Sequence, residues 1–219
     1  LLVQLLSKIG SYLDVIAPLV ALAFALFKRE MWLREHFYIV LFLMIELLLN
    51  VWGKILMVYY AEIGNIYVYK INCIASFVVL SLFFAAKWKP VIPKKQLNLL
   101  RLITLLVSIV LLIIVRQEET FLFNSTSYSL VSLVLCIYCI IYYMSKLEKP
   151  DTEKITTLRS FWFITGIFTY YAGCFFIFAS YRVLTINEKM GAPSVWLMHN
   201  IVFAFMCVLF LIGFRCKNS

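Results

Sequence analysis

Charged residues are scarce in this 219-residue chain, at 14% of the total. Soluble domains carry about 25%, so a water-facing globule is excluded by composition. Glycine (7) and proline (5) are also few, which excludes collagen-like and low-complexity organisation. Histidine is scarcer still, with two residues, His36 and His199. A catalytic zinc ion needs about three protein ligands, and these two histidines fall at different depths of the apolar pattern described below. Paired interior carboxylates, which aspartyl chemistry requires, are missing: only Glu46 lies deep in an apolar run, and Asp14 sits near the end of another. No G-x-S-x-G is present to carry a serine nucleophile. The apolar runs do not alternate with polar residues, so a closed barrel is excluded and the runs read as helices. No catalytic residue, metal or cofactor is expected. A Glu46–His199 acid/base pair is the one enzymatic arrangement left, and enzyme action ranks low.

What is present is hydrocarbon-like sequence. The chain is 64% hydrophobic, with a mean hydropathy of +0.95. A bilayer core of about 30 Å needs about 20 helical residues. Seven segments qualify, at 8–27, 37–60, 64–86, 97–115, 121–145, 161–184 and 194–214. "KREMWLREH", "KWKPVIPKKQLN" and "KLEKPDTEKITTLR" are the clearest breaks. The expected fold is an all-α seven-transmembrane-helix bundle forming one domain over 1–219. The first apolar block has no basic flank and no A-x-A exit, so no cleavable signal peptide is expected. Loops this short leave no room for an appended catalytic or signalling domain. Cys136 and Cys139 form a C-x-x-C inside "LVLCIYCIIYY" without a second pair or a nearby histidine, and read as small apolar core residues.

The net charge of +9 does not point to nucleic acid, because the basic residues gather in loops. The loops 28–36, 87–101 and 146–159 and the tail after 214 hold 14 of the 20 Lys and Arg. The opposite side holds Lys8, Arg116, Arg182 and Lys189. The positive-inside bias predicts an outside N-terminus and a cytoplasmic C-terminus. The loop 87–101, with five basic residues and no acid, is expected to anchor on lipid headgroups. The loop around Lys149, Pro150 and Asp151 mixes signs and reads as solvated. Ala17, Ala21 and Ala25 share a face that suits close helix packing. Pro18 in the same segment is expected to kink it.

Polar residues inside spans are costly and usually face a bundle interior or a wet cavity. Glu46, Asn50 and Lys54 are spaced i, i+4, i+8 and share one face of the second helix. Lys70, Asn72 and Ser76 lie on the third, Asn124 and Tyr128 in the "FNSTSYS" entry to the fifth, Tyr170 and Arg182 on the sixth, and His199 and Asn200 on the seventh. With the orientation above, most of these converge on the outer half. The expected ligand-binding set is Glu46, Asn50, Lys54, Lys70, Asn72, Asn124, Tyr128, Tyr170, Arg182 and His199. Asn200 and Ser76 are expected to act as structural polar residues. An excess of cations over Glu46 favours an anionic ligand. Helix 7 has no lysine, which disfavours retinal.

The segments "FWFITGIFTYYAGCFFIF" and "VWLMHNIVFAFMCVLFLIGF" carry F-W-x-x-x-G-x-x-x-Y-x-x-G and W-x-x-H-N. In these patterns the chain resembles a family of small bacterial seven-helix membrane proteins without assigned activity. The resemblance touches Glu46, Asn124, Trp162, Gly166, Tyr170, Gly173, Trp196, His199 and Asn200. It departs at Ser76, where the family often has a carboxylate. It implies an input module beside a two-component regulator, in a bacterial cytoplasmic membrane. The resulting expectation is a sensor or receptor-like protein that binds a small ligand and acts through a membrane partner such as a sensor kinase. Transport or substrate capture comes second, and a lipid-modifying intramembrane enzyme third.

Overall fold

A computed structural model describes residues 10–28, 35–60, 65–89, 92–117, 125–148, 154–186 and 192–216, with backbone alone at 35, 182–186 and 192–193. The chain forms seven α-helices: α1 Leu13–Leu26, α2 Glu35–Tyr59, α3 Ile66–Trp88, α4 Lys94–Gln117, α5 Ser125–Glu148, α6 Arg159–Ile186 and α7 Ala192–Arg215. A short 3-10 turn, Ile155–Thr157, leads into α6. No β-strand occurs among the described residues. Six helices, α2 to α7, are long and apolar enough to cross a membrane. α1 is shorter, at 14 residues, which spans about 21 Å at 1.5 Å per residue.

Consecutive helices pack on one another, and α7 returns to pack on α1, so the bundle closes. α3 also meets α5, while α4 leans on α3 and α5 at the outside. The placement of α4 follows from its residues. It has the most apolar stretch of the six long helices, yet only Leu97 and Leu111 are buried. Leu99, Leu102, Leu105, Leu106, Leu112 and Ile113 are half exposed or more, as suits a helix turned toward lipid. One polar tie to the bundle is Thr104, whose hydroxyl meets that of Tyr138 on α5 at 2.7 Å.

One end of the bundle is filled by rings. Phe42, Phe77, Phe83, Phe84, Phe163, Phe210 and Phe214 are fully buried. Phe163 stacks edge-on with Phe210 and Phe214, at 5.6 and 5.1 Å between ring centres. Such edge-to-face pairs add about 0.5–1.5 kcal/mol each beyond their area. At the same end two cations cap carbonyls left over by α7. Lys28 Nζ donates to the Phe214 carbonyl at 2.7 Å, and Arg159 donates to the Cys216 carbonyl at 2.8 Å. Cations at a helix C-terminus satisfy orphan acceptors and the helix dipole together.

The packing of α6 on α7 needs glycine. A Cβ on Gly166 would stand 2.9 Å from Phe210 Cε1 and 3.3 Å from the Met206 carbonyl oxygen. One on Gly213 would stand 2.7 Å from Phe163 Cε1. Ala21 and Ala25 play the same part on α1, both fully buried. Pro18 lies buried inside α1, and the helix continues past it to Leu26. All six cysteines are free thiols.

The helices run past most of the apolar limits read from sequence, because lysine, arginine and glutamate at their ends are good helix formers. Gly166→Ala should cost about 1–3 kcal/mol by overpacking. Gly173→Ala, where the added carbon meets only the movable Val202 side chain at 3.1 Å, should cost less. Thermal unfolding of the two detergent-purified variants measures the order.

Candidate functional site

A carboxyl away from water needs donors to replace it. Glu46 on α2 is 4% exposed, and three neutral side chains surround it. Asn72 Nδ2 of α3 donates to Oε2 at 3.0 Å. Asn50 Nδ2, one turn further along α2, reaches the same oxygen at 3.4 Å. Ser76 Oγ lies 2.8 Å from Oε1 and 3.0 Å from Asn72 Oδ1. Asn72 and Ser76 share a face of α3 because they are four residues apart. Asn50 also donates to the Asp14 carbonyl of α1 at 3.2 Å, which ties three helices to one carboxyl.

His199 of α7 lies across from this group. Its Nδ1 is 3.1 Å from Asn200 Oδ1, and its Nε2 is 2.8 Å from the Tyr170 hydroxyl of α6. Asn200 Nδ2 donates to the Gly10 carbonyl at 3.0 Å, which fixes the amide with its oxygen toward the ring. An amide oxygen only accepts, so His199 Nδ1 carries hydrogen, and Nε2 of the neutral ring accepts from Tyr170. Trp196, Phe178 and Phe203 pack around the imidazole at 5.3, 5.5 and 6.4 Å between ring centres. Glu46, Asn50, Asn72, Tyr128, Tyr170 and His199 enclose a chamber of about 10 Å³ with Tyr69, Trp196 and Phe203, about the room one water needs.

A much larger groove of about 860 Å³ lies beyond it, among Tyr12, Asp14, Lys54, Tyr59, Tyr181 and Trp196 and their neighbours. Lys54 Nζ pairs with Asp14 Oδ2 at 3.0 Å, donates to the Ser11 carbonyl and lies over the Tyr12 ring at 5.3 Å. Tyr69 and Trp196 line both spaces. They stack at 5.1 Å with 23° between their planes, and so form a shared wall. Tyr128 Oη donates to the Tyr69 carbonyl at 2.9 Å, holding that wall to α5.

Of the residues singled out from sequence, Glu46, Asn50, Asn72, Tyr128, Tyr170 and His199 come together around the chamber. Lys54 lies apart from them in the groove. Lys70 is buried, and its amine donates to the Val115 carbonyl of α4 at 3.0 Å. Asn124 lies outside the described residues, as does the Arg182 side chain. Ser76 bonds the central carboxyl directly, and Asn200 ties α7 to Gly10 while orienting His199. Asp14, Tyr69 and Trp196 lie outside the ligand-binding set expected from sequence. The i, i+40 relation of Asp14 to Lys54 has no sequence signature. Trp196, three residues before His199, shares its helix face and was findable on that ground. Among the described residues, no group of three or more His, Cys, Asp or Glu is arranged to hold a metal ion.

Compared with protein-family models, curated proteins and solved structures, the chain matches none.

Removing Tyr170 Oη by Tyr170→Phe should cost about 0.6–1.7 kcal/mol, the range of hydrogen bonds inside membrane proteins. Asn200→Ala should cost more, because it strands the His199 Nδ1 hydrogen and the Gly10 carbonyl together. Chemical unfolding in detergent, run on both variants, measures the difference.

Proposed function

We propose that this is a seven-helix membrane sensor or receptor-like protein of a bacterial cytoplasmic membrane, with its N-terminus outside and its C-terminus in the cytoplasm. It binds a small ligand in the groove and acts through a separate membrane partner, of which a sensor kinase is the expected kind. The observation that carries this reading is the shape of the interior. An 860 Å³ groove ends at the Tyr69–Trp196 wall, and the far half of the bundle is filled by fully buried phenylalanines. Ligand pockets of about 300–1,000 Å³, mostly apolar with few polar groups, are the usual size for small molecules. A transporter needs a polar path through both halves, and the phenylalanine packing supports sensing over transport.

The ligand chemistry follows from the lining. Tyr12, Tyr59, Tyr69, Tyr181 and Trp196 offer ring faces and hydroxyls. The Lys54–Asp14 pair is the charged element. An anionic group on the ligand competes with Asp14 for Lys54, so the preference for anions rests on that one lysine. A ligand with an aromatic or apolar body and one small polar head suits the groove best. Binding biases one of two helix packings, as a ligand with unequal affinity for two states does.

Two measurements test this. A panel of small aromatic carboxylates and amines, screened by thermal shift on purified protein, should yield binders. Their affinity should fall tenfold or more in Trp196→Ala and in Lys54→Ala, and stay unchanged in Thr104→Ala. Binding unaffected by Trp196→Ala and Lys54→Ala removes the groove from the reading. For orientation, Cys216 after α7 should react with a membrane-impermeant maleimide only once cells are permeabilised. Labelling in intact cells reverses the topology.

A further inference from the structure

Counting hydrogens around Glu46 leads to a second conclusion. Glu46, Ser76 and Asn72 form a closed ring of three contacts. Ser76 Oγ to Glu46 Oε1 is 2.8 Å, Ser76 Oγ to Asn72 Oδ1 is 3.0 Å, and Asn72 Nδ2 to Glu46 Oε2 is 3.0 Å. Each contact needs one hydrogen. The Ser76 hydroxyl has one to give. The Asn72 amide turns its nitrogen to one side of the ring and its oxygen to the other, so it also gives one. That count is the same whichever way the amide is flipped. Two hydrogens cannot close three contacts. A hydrogen on the Glu46 carboxyl supplies the third.

We propose that Glu46 is a proton-binding site, held in the folded protein as the neutral acid. The Glu46 hydroxyl then donates to Ser76 Oγ, Ser76 donates to Asn72 Oδ1, and Asn72 Nδ2 donates to the second Glu46 oxygen. Loss of the proton leaves a negative charge and two facing acceptor oxygens in a site 4% exposed. Both are costly to bury.

The surroundings agree. The hydrogen bonds to Glu46 come from Asn50, Asn72 and Ser76, all neutral. The titratable groups that share its chamber are Tyr69 from α3, Tyr128 from α5, Tyr170 from α6 and His199 from α7, and Asp14 from α1, Tyr171 and Cys174 from α6 and Cys207 from α7 lie within electrostatic reach. Asp14 brings negative charge, which favours the neutral acid. Lys54 pairs with Asp14, and Lys70 donates to the Val115 carbonyl. The chamber of about 10 Å³ beside Glu46 also touches His199 and Tyr170. Its room for about one water offers the exchange route for the proton. The ring of contacts from which this site is read includes no residue that lines the groove.

Infrared titration of the reconstituted full chain tests the proposal, with Glu46→Gln and Asp14→Asn beside the wild type. Glu46→Gln keeps the ring closed, because its amide nitrogen donates where the acid hydroxyl did. The expected result is a protonated-carboxyl carbonyl band at neutral pH that is lost in Glu46→Gln and kept in Asp14→Asn. The band should convert to carboxylate as pH rises. Absence of the band in the wild type, or its survival in Glu46→Gln, overturns the proposal. If Glu46→Gln does not fold, Ser76→Ala serves instead. Removing the acceptor of the acid hydroxyl should shift the band, and an unshifted band overturns the proposal equally.

Discussion

The arrangement of this bundle depends on one constraint: a carboxyl on α2 is buried among helices, 4% exposed. Hydrocarbon offers Glu46 no hydrogen bonds, so the neighbouring helices must bring them. α3 does so with Asn72 and Ser76, four residues apart on one face. That requirement sets the rotation of α3 about its own axis and its height against α2. Asn50 then extends the same network to the Asp14 carbonyl of α1. The short first helix is thereby placed, and with it the ion pair in which Asp14 holds Lys54. Apolar side chains alone leave such choices open, since lipid tails satisfy a leucine as well as a neighbouring helix does.

The opposite half of the bundle is built on a different principle. Volume and shape dominate there, and hydrogen bonds such as Tyr142–Ser160 and Tyr143–Thr165 join α5 to α6 beside them. Phenylalanines from α2, α3, α6 and α7 interlock, and Gly166 and Gly213 let α6 and α7 approach until rings lie on backbone. Packing of this kind resists continuous deformation. Motion is cheaper in the polar half, where hydrogen bonds can exchange partners and a cavity already exists. A bundle that is rigid at one end and adaptable at the other suits the conversion of an event in the groove into a tilt of helices.

Much of the architecture was legible before any coordinates. Seven apolar runs are visible because a bilayer-length helix needs about 20 apolar residues. Their ends were less legible, since helices continue through residues such as Lys94, Lys95 and Glu148 that hydropathy cuts away. The site was legible along single helices and obscure between them. Glu46, Asn50 and Lys54 stood out by spacing, but Lys54 ended on Asp14 and not beside Glu46. Lys70 illustrates a misleading neighbour. It lies two residues from Asn72, which is about 200° around the helix, so the two cannot face the same space. Asn72 turned inward to Glu46 and Lys70 turned to α4. Of the cations counted from sequence, Lys54 and Lys70 therefore bond elsewhere than at Glu46. Which helix meets which, and at what rotation, is a property of the whole packing that no single run encodes.

The groove and the buried carboxyl are two spaces that share their walls. Asn50 has one amide nitrogen with two hydrogens, and it serves Asp14 on the groove side and Glu46 on the chamber side. Tyr69 and Trp196 line both spaces. Trp196 also packs on His199, whose orientation Asn200 sets through Gly10, just before α1. A ligand that parts the Tyr69–Trp196 stack moves a ring that packs on His199, and one that shifts the α1 backbone at Asp14 pulls on Asn50. A change of charge at Glu46 must be felt in the groove by the same contacts. Coupling between two sites is reciprocal in free energy. The proposed proton site and the proposed ligand groove would therefore be coupled, and the side chains that join the two spaces are Asn50, Tyr69 and Trp196.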